Sequence, residues 1–153
     1  MRPYFAWDII RDTECGATPP MTGRTISHYE VLEKLGEGGM GAVFKARDTH
    51  LDRFVSLKLL LSEAVTNPDR RRRFVQEAKA ASALNHPNII HIYDIDEADG
   101  VLFIAMEYVA GKTLDHLAGR KGLPLHEVLR YAVQVADGLT AAHAARIIHR
   151  ELA

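Results

Sequence analysis

The run Leu35-Gly36-Glu37-Gly38-Gly39-Met40-Gly41-Ala42-Val43 decides how this chain is read. Its glycines stand as G-x-G-x-x-G-x-V. The first part of that spacing alone is weak, because dinucleotide-binding turns carry it too. The residues after the last glycine separate the two possibilities. A dinucleotide-binding turn passes from its last glycine into a helix. Here the chain continues as Ala42-Val43-Phe44-Lys45-Ala46, with the composition of a strand. A Rossmann-type dinucleotide binder is therefore the remote alternative, and it requires helix over residues 42–52. Glycines in a turn between strands let backbone N–H groups approach phosphate oxygens with no side chain between. An ordinary flexible hairpin is the plain alternative.

A lysine lies on the next strand, in Val55-Ser56-Leu57-Lys58. Alternation turns Val55, Leu57 and Leu59 to one face and Phe54, Ser56, Lys58 and Leu60 to the other. A lysine inside so apolar a strand needs an anion or a route to water. Phosphate oxygens would be that anion; an edge-strand lysine reaching solvent is the other reading. Glu77 is the natural protein partner. It follows Phe74 by three residues and precedes Ala81 and Leu84 by four and seven, so it belongs to the apolar stripe of its helix. A carboxylate there is costly unless paired, and Lys58 would pair it. A solvated helix glutamate is the alternative.

Outward from this centre, Tyr29–Leu35, Gly41–Arg47 and Arg53–Leu61 read as strands. Asn67-Pro68 starts a helix that His86-Pro87 ends. Ile89–Ile95 and Val101–Tyr108 read as two more strands, joined by a turn at Asp99-Gly100. After Gly111 the pattern becomes helical. Thr113–Leu117 is a short turn of helix. Leu125–Ala144 is a long helix, with Leu125, Val128, Leu129, Ala132, Val135, Ala136 and Leu139 as its apolar stripe. Residues 1–28 hold prolines, glycines and the only tryptophan, Trp7, without a clear period. They read as a disordered leader, with Met21 resembling an ordinary start. A docking tail built on Tyr4, Phe5 and Trp7 is the alternative.

Composition narrows the function classes. The 153 residues carry 19 basic and 20 acidic side chains, a formal net charge of −1. That argues against broad electrostatic binding to nucleic acid or membrane. The run Arg70–Arg73 is then a solvated helix end rather than a nucleic-acid patch. Cys15 is the single cysteine, which excludes an internal disulfide and suits a reducing cytoplasm, the expected location. No apolar run reaches the ~18 residues of a membrane span.

These residues, together with His86-Pro87-Asn88-Ile89 and Phe103-Ile104-Ala105-Met106-Glu107-Tyr108-Val109, resemble the N-terminal half of a serine/threonine protein kinase, the bacterial members above all. The resemblance runs from about Tyr29 to Leu152. It implies an α+β fold: a kinase-like N-lobe over residues 29–109, with a five-stranded antiparallel sheet and one helix, then a partial C-lobe over 110–153. It implies that Gly36, Gly38 and Gly41 cover the phosphates of ATP, and that Lys58 holds the α- and β-phosphates while pairing with Glu77. Met106 would stand behind the adenine as gatekeeper. Glu107 and Val109 would offer backbone groups to the adenine edge, and Leu35, Val43 and Ser56 would line the pocket. Ser56 stands where the family usually has alanine.

Ile147-Ile148-His149-Arg150-Glu151-Leu152-Ala153 resembles the catalytic loop H-R-D-L-K. Glu151 takes the aspartate position and Ala153 the lysine position. His149 is equally readable as structural. The family's magnesium ligands, a downstream asparagine and the D-F-G aspartate, do not occur in this sequence, so no metal ligand is assigned. The expectation is a nucleotide-binding chain with impaired phosphoryl transfer. A non-catalytic, pseudokinase-like module or the remnant of a disrupted kinase gene is the alternative. In the family the long helix packs on later helices. Leu125–Ala144 is therefore expected to expose an apolar face that invites self-association or a protein partner.

Overall fold

The strand carrying Lys58 lies inside a six-stranded antiparallel sheet in the computed structural model, which describes residues 21–38, 41–60 and 68–147. The strands are β1 Thr25–Ile26, β2 Tyr29–Gly38, β3 Gly41–Asp48, β4 Arg53–Leu59, β5 Ile92–Ala98 and β6 Val101–Glu107. They lie in the order β1-β2-β3-β4-β6-β5. Among the described residues the helices are α1 Pro68–Ser82, α2 Leu114–Ala118 and α3 Leu125–Ala144, with a 3-10 turn at Gly119–Lys121.

Alternation along β4 separates two cores. Val55, Leu57 and Leu59 are buried with Val31, Phe44 and Phe103 on one face. On the other face, Leu60, Leu102 and Ile104 pack with Phe74 and Ala78 of α1. The apolar stripe of α1 is thus buried where the three- and four-residue steps place it, and Ala81 continues it. At the far end of β3, buried Asp48 closes the β3–β4 turn. It accepts from the His50 and Leu51 amides at 3.0 and 3.1 Å and from Arg53 Nε at 3.2 Å. Burial pushes its carboxyl pKa up, but the Leu51, Arg53 and His50 bonds and nearby His28 outweigh it, so the pKa lies below its ordinary value. Neighbouring Tyr29 is pushed up to about 12, first by burial and then by Asp94 and Asp48.

Most strand ends shift by one to three residues from the sequence reading, and three differences matter more. Residues 21–28, assigned to the leader, join the fold. Thr25 and Ile26 pair with Glu30 and Tyr29, and Met21 and Ile26 are buried in the first core. The sheet therefore has six strands among the described residues, not five. Second, α1 ends at Ser82, short of His86-Pro87. The amides of Ala83 and Leu84 reach back only three residues, to Ala80 and Ala81, tightening the last turn. Third, β5 starts at Ile92 rather than Ile89, because the Ile89 amide bonds the His86 carbonyl at 3.0 Å and holds that segment in a turn. Asp99 and Gly100 form the predicted hairpin turn, both with positive φ. The short helix begins one residue later than read, at Leu114, capped by the Thr113 hydroxyl, which accepts from the His116 amide at 3.2 Å. Residues 1–20 lie outside the described residues.

α3 has the bounds the sequence predicts. It docks through a face that includes two small residues, Gly138 and Ala142. Tyr131, Gly138 and Ala142 are buried, and a Cβ on Gly138 would lie 3.5 Å from Asn88 Cβ. Asp137 accepts from Asn88 Nδ2 at 3.2 Å and lies 3.3 Å from His86 Nε2. The expected stripe is left open: Leu125 is 72% exposed and Leu129 57%. Val133, outside that stripe, is 69% exposed.

Candidate nucleotide site

The glycine turn joins β2 directly to β3, with Gly38 opposite Gly41; Gly39 and Met40 lie outside the described residues. Gly41 has φ 152°, and a Cβ there would collide with the Leu59 carbonyl oxygen. Only glycine fits where β3 starts so close to the β4 backbone. β3 then runs as strand to Asp48. This removes the helix over 42–52 that a dinucleotide-binding turn requires.

Antiparallel partners directly opposite each other share a sheet face. Val43 is opposite Lys58, and Lys58 is opposite Ile104. Lys45 is opposite Ser56, and Ser56 is opposite Met106. Two rows therefore place Val43, Ser56, Lys58 and Met106 on one face of the sheet. Lys58 is half-buried there, its Nζ 5.9 Å from the centroid of the Phe74 ring on α1. Met106 packs against the second core. Leu35 falls at an irregularity between Lys34 and Gly36 in the β2–β3 register and is 43% exposed.

Glu107 ends β6 at the rim of this face. Its amide donates to the His91 carbonyl at 2.8 Å, and its carboxylate accepts from the His91 amide at 3.3 Å. Val109 comes two residues later, half-buried. Glu77 stands on α1 one turn beyond Phe74. Its side chain, and with it the Lys58–Glu77 pair, lies outside the described residues, as do His149 and Glu151.

The sequence reading missed two features. Lys45 lies 4.9 Å from the ring centroids of both Phe54 and Tyr108, and 3.2 Å from Glu33 Oε1. The bond to Glu33 raises its pKa. This clasp ties Tyr108, next to Glu107, to the sheet. The alternation of Lys45 with core residues of β3 was its only sequence signal. The second feature is the link from His86 and Asn88 to Asp137. Its members lie about fifty residues apart and share no local pattern.

The protein kinase domain family matches residues 29–153. The chain is 48% identical over 139 residues to the serine/threonine-protein kinase pkn3 of Myxococcus xanthus, covering 88% of this chain and 25% of that protein. It is 41% identical over 135 residues to the serine/threonine-protein kinase PrkC of Bacillus subtilis, covering 86% and 21%. The crystal structure of the Mycobacterium tuberculosis PknI kinase domain superposes with a TM-score of 0.72 at 36% identity, covering 86% of this chain and 53% of that one. The chain belongs to the protein kinase family. It spans about a quarter of those two full-length relatives and about half of the solved kinase domain.

Proposed function

We propose that this chain is the ATP-binding part of a serine/threonine protein kinase. The observation that carries the reading is Lys58, half-buried on the face that also holds Val43, Ser56 and Met106. Members of the family use ATP and magnesium, and bound ATP supplies the transferable phosphoryl group. In this chain Lys58 holds the α- and β-phosphate oxygens, with Glu77 fixing the lysine head. Gly36, Gly38 and Gly41 let the backbone cover the phosphates. Leu35, Val43 and Ser56 cover the base, with Met106 behind it. The Glu107 amide is committed to His91, so the carbonyl is the group this residue offers a base, with Val109 beside it.

Among the described residues no three His, Cys, Asp or Glu side chains converge to hold a metal. Glu151 stands where the family's catalytic loop has aspartate. Its side chain is one methylene longer than aspartate, and a catalytic group misplaced by about 1 Å costs on the order of a hundredfold in rate. Nucleotide binding is therefore the property this chain retains, with weak phosphoryl transfer. Among the described residues no helix is long and apolar enough to cross a membrane.

The test is displacement of a fluorescent ATP analogue by ATP, ADP and NAD. Displacement by ATP and ADP at lower concentrations than NAD supports the reading. Preferential displacement by NAD, or no binding of the analogue, overturns it.

A further inference from the structure

Lys45, on β3, holds together side chains from three other parts of the sheet. Its Nζ lies 3.2 Å from Glu33 Oε1 on β2. It also lies 4.9 Å from the ring centroids of Phe54, on β4, and of Tyr108, just past the end of β6. The two rings meet edge to face, their centroids 6.4 Å apart. A lysine on a sheet face ordinarily keeps its head in water and its stem free. The Lys45 side chain is only 22% exposed, so its stem is ordered by these contacts. Lys45 and Phe54 share the face that carries Val43, Ser56, Lys58 and Met106. The pairing of β4 with β6 ends at Val55 and Glu107. Beyond it, the path of Tyr108 and Val109 depends on side-chain contacts rather than on the ladder. That path is fixed from two directions: Glu107 is tied to His91 through its amide and its carboxylate, and Tyr108 is tied to β2, β3 and β4 through Lys45.

We propose that Lys45 is a positioning residue for nucleotide recognition: by clasping Tyr108 it fixes the Glu107–Val109 backbone at the edge of the base, and so sets the preference between purines. The inference rests on the proposed nucleotide site. Purines differ in the donors and acceptors along their edges. A backbone segment matches one set and rejects the other only when its path is held to within about 0.5 Å. Lys45 acts through Tyr108 and not on the nucleotide. Lys58 grips phosphates that all nucleotides share, so its contribution is independent of the clasp.

Calorimetric titration of the full 153-residue chain with the non-hydrolysable analogue AMP-PNP and its guanine counterpart GMP-PNP, beside melting without ligand, tests this. Lys45→Met keeps an apolar stem and removes the charge. Lys45→Arg keeps a cation that stacks on rings and pairs with a carboxylate. Tyr108→Leu removes the clasped ring. The parent prefers AMP-PNP. In Lys45→Met the dissociation constant for AMP-PNP rises about three- to tenfold while that for GMP-PNP changes by less than about twofold, so the preference narrows. Tyr108→Leu narrows it likewise, and Lys45→Arg keeps it. An unchanged preference in either Lys45→Met or Tyr108→Leu, with the parent binding and Lys58→Ala weakened, overturns the role of Lys45 and leaves the nucleotide site standing. A lower melting midpoint with both analogues weakened in equal proportion shows that the clasp only supports the fold, and overturns it too. So does a parent without preference, or a Lys45→Arg chain as impaired as Lys45→Met. No binding by the parent, or equal binding by Lys58→Ala, overturns the site itself and this inference with it.

Discussion

Gly41 lies against the backbone of Leu59, its missing side chain replaced by the Leu59 carbonyl oxygen. The last glycine of the turn is therefore demanded by the sheet, whatever binds beneath it. Gly41→Ala is expected to destabilise the chain by more than about 2 kcal/mol, since the neighbour is backbone and φ is positive. Gly100 also has positive φ but opens onto free space. Gly100→Ala is expected to cost only about 1 kcal/mol. Urea unfolding of both variants checks the difference.

Asp48 makes stability depend on pH in a defined direction. Its carboxyl pKa lies below the ordinary 3.8. A depressed carboxyl contributes stability that is fully present above the unfolded-chain value and disappears as pH falls through the folded one. Asp48→Asn is expected to cost about 1–2 kcal/mol at pH 7. The gap between parent and variant should shrink as pH falls below about 4. Unfolding curves at pH 7, 5 and 3 measure it.

Arg146 ends α3 with φ 61°, its amide bonded to the His143 carbonyl and the Ile147 amide to the Ala142 carbonyl. This is the left-handed position that helices usually give to glycine. Arg146→Gly is expected to stabilise the chain by about 1 kcal/mol, read as a higher denaturant midpoint at unchanged slope.

The open stripe of α3 is expected to drive self-association, as contiguous apolar surface does. Leu125 and Leu129, on neighbouring turns, are the most exposed of its large side chains. Leu125→Lys with Leu129→Glu should raise the monomer fraction in size-exclusion chromatography at micromolar concentration. Melting should change little, because both side chains are mostly in water.

What the sequence displayed followed from strength of pattern. β2 and β3 alternate around Val31 and Phe44, β4 and β6 are apolar runs around Leu57 and Phe103, and their positions were legible. α3 is long and strongly periodic, and both of its ends were legible. β1 was not, because two residues cannot show a period and its burial depends on pairing with β2. The docking face of α3 was missed for a different reason. It is built on Gly138 and Ala142, where close approach rather than apolar bulk makes the contact. In the site, alternation placed Ser56 and Lys58 on one face. It did not show Lys45 held between Phe54 and Tyr108, because one ring lies on β4 and the other just past the end of β6.

The most direct test of the account is the affinity of the 153-residue chain for AMP-PNP in parent, Lys58→Ala and Arg47→Ala forms, each shown by melting to be folded. Arg47 is exposed and paired with Asp52 at the far end of the sheet, so its loss should leave affinity unchanged. Loss of Lys58 should weaken binding about ten- to a hundredfold, the worth of a hydrogen bond to a charged group. Equal affinity in all three forms would contradict the account.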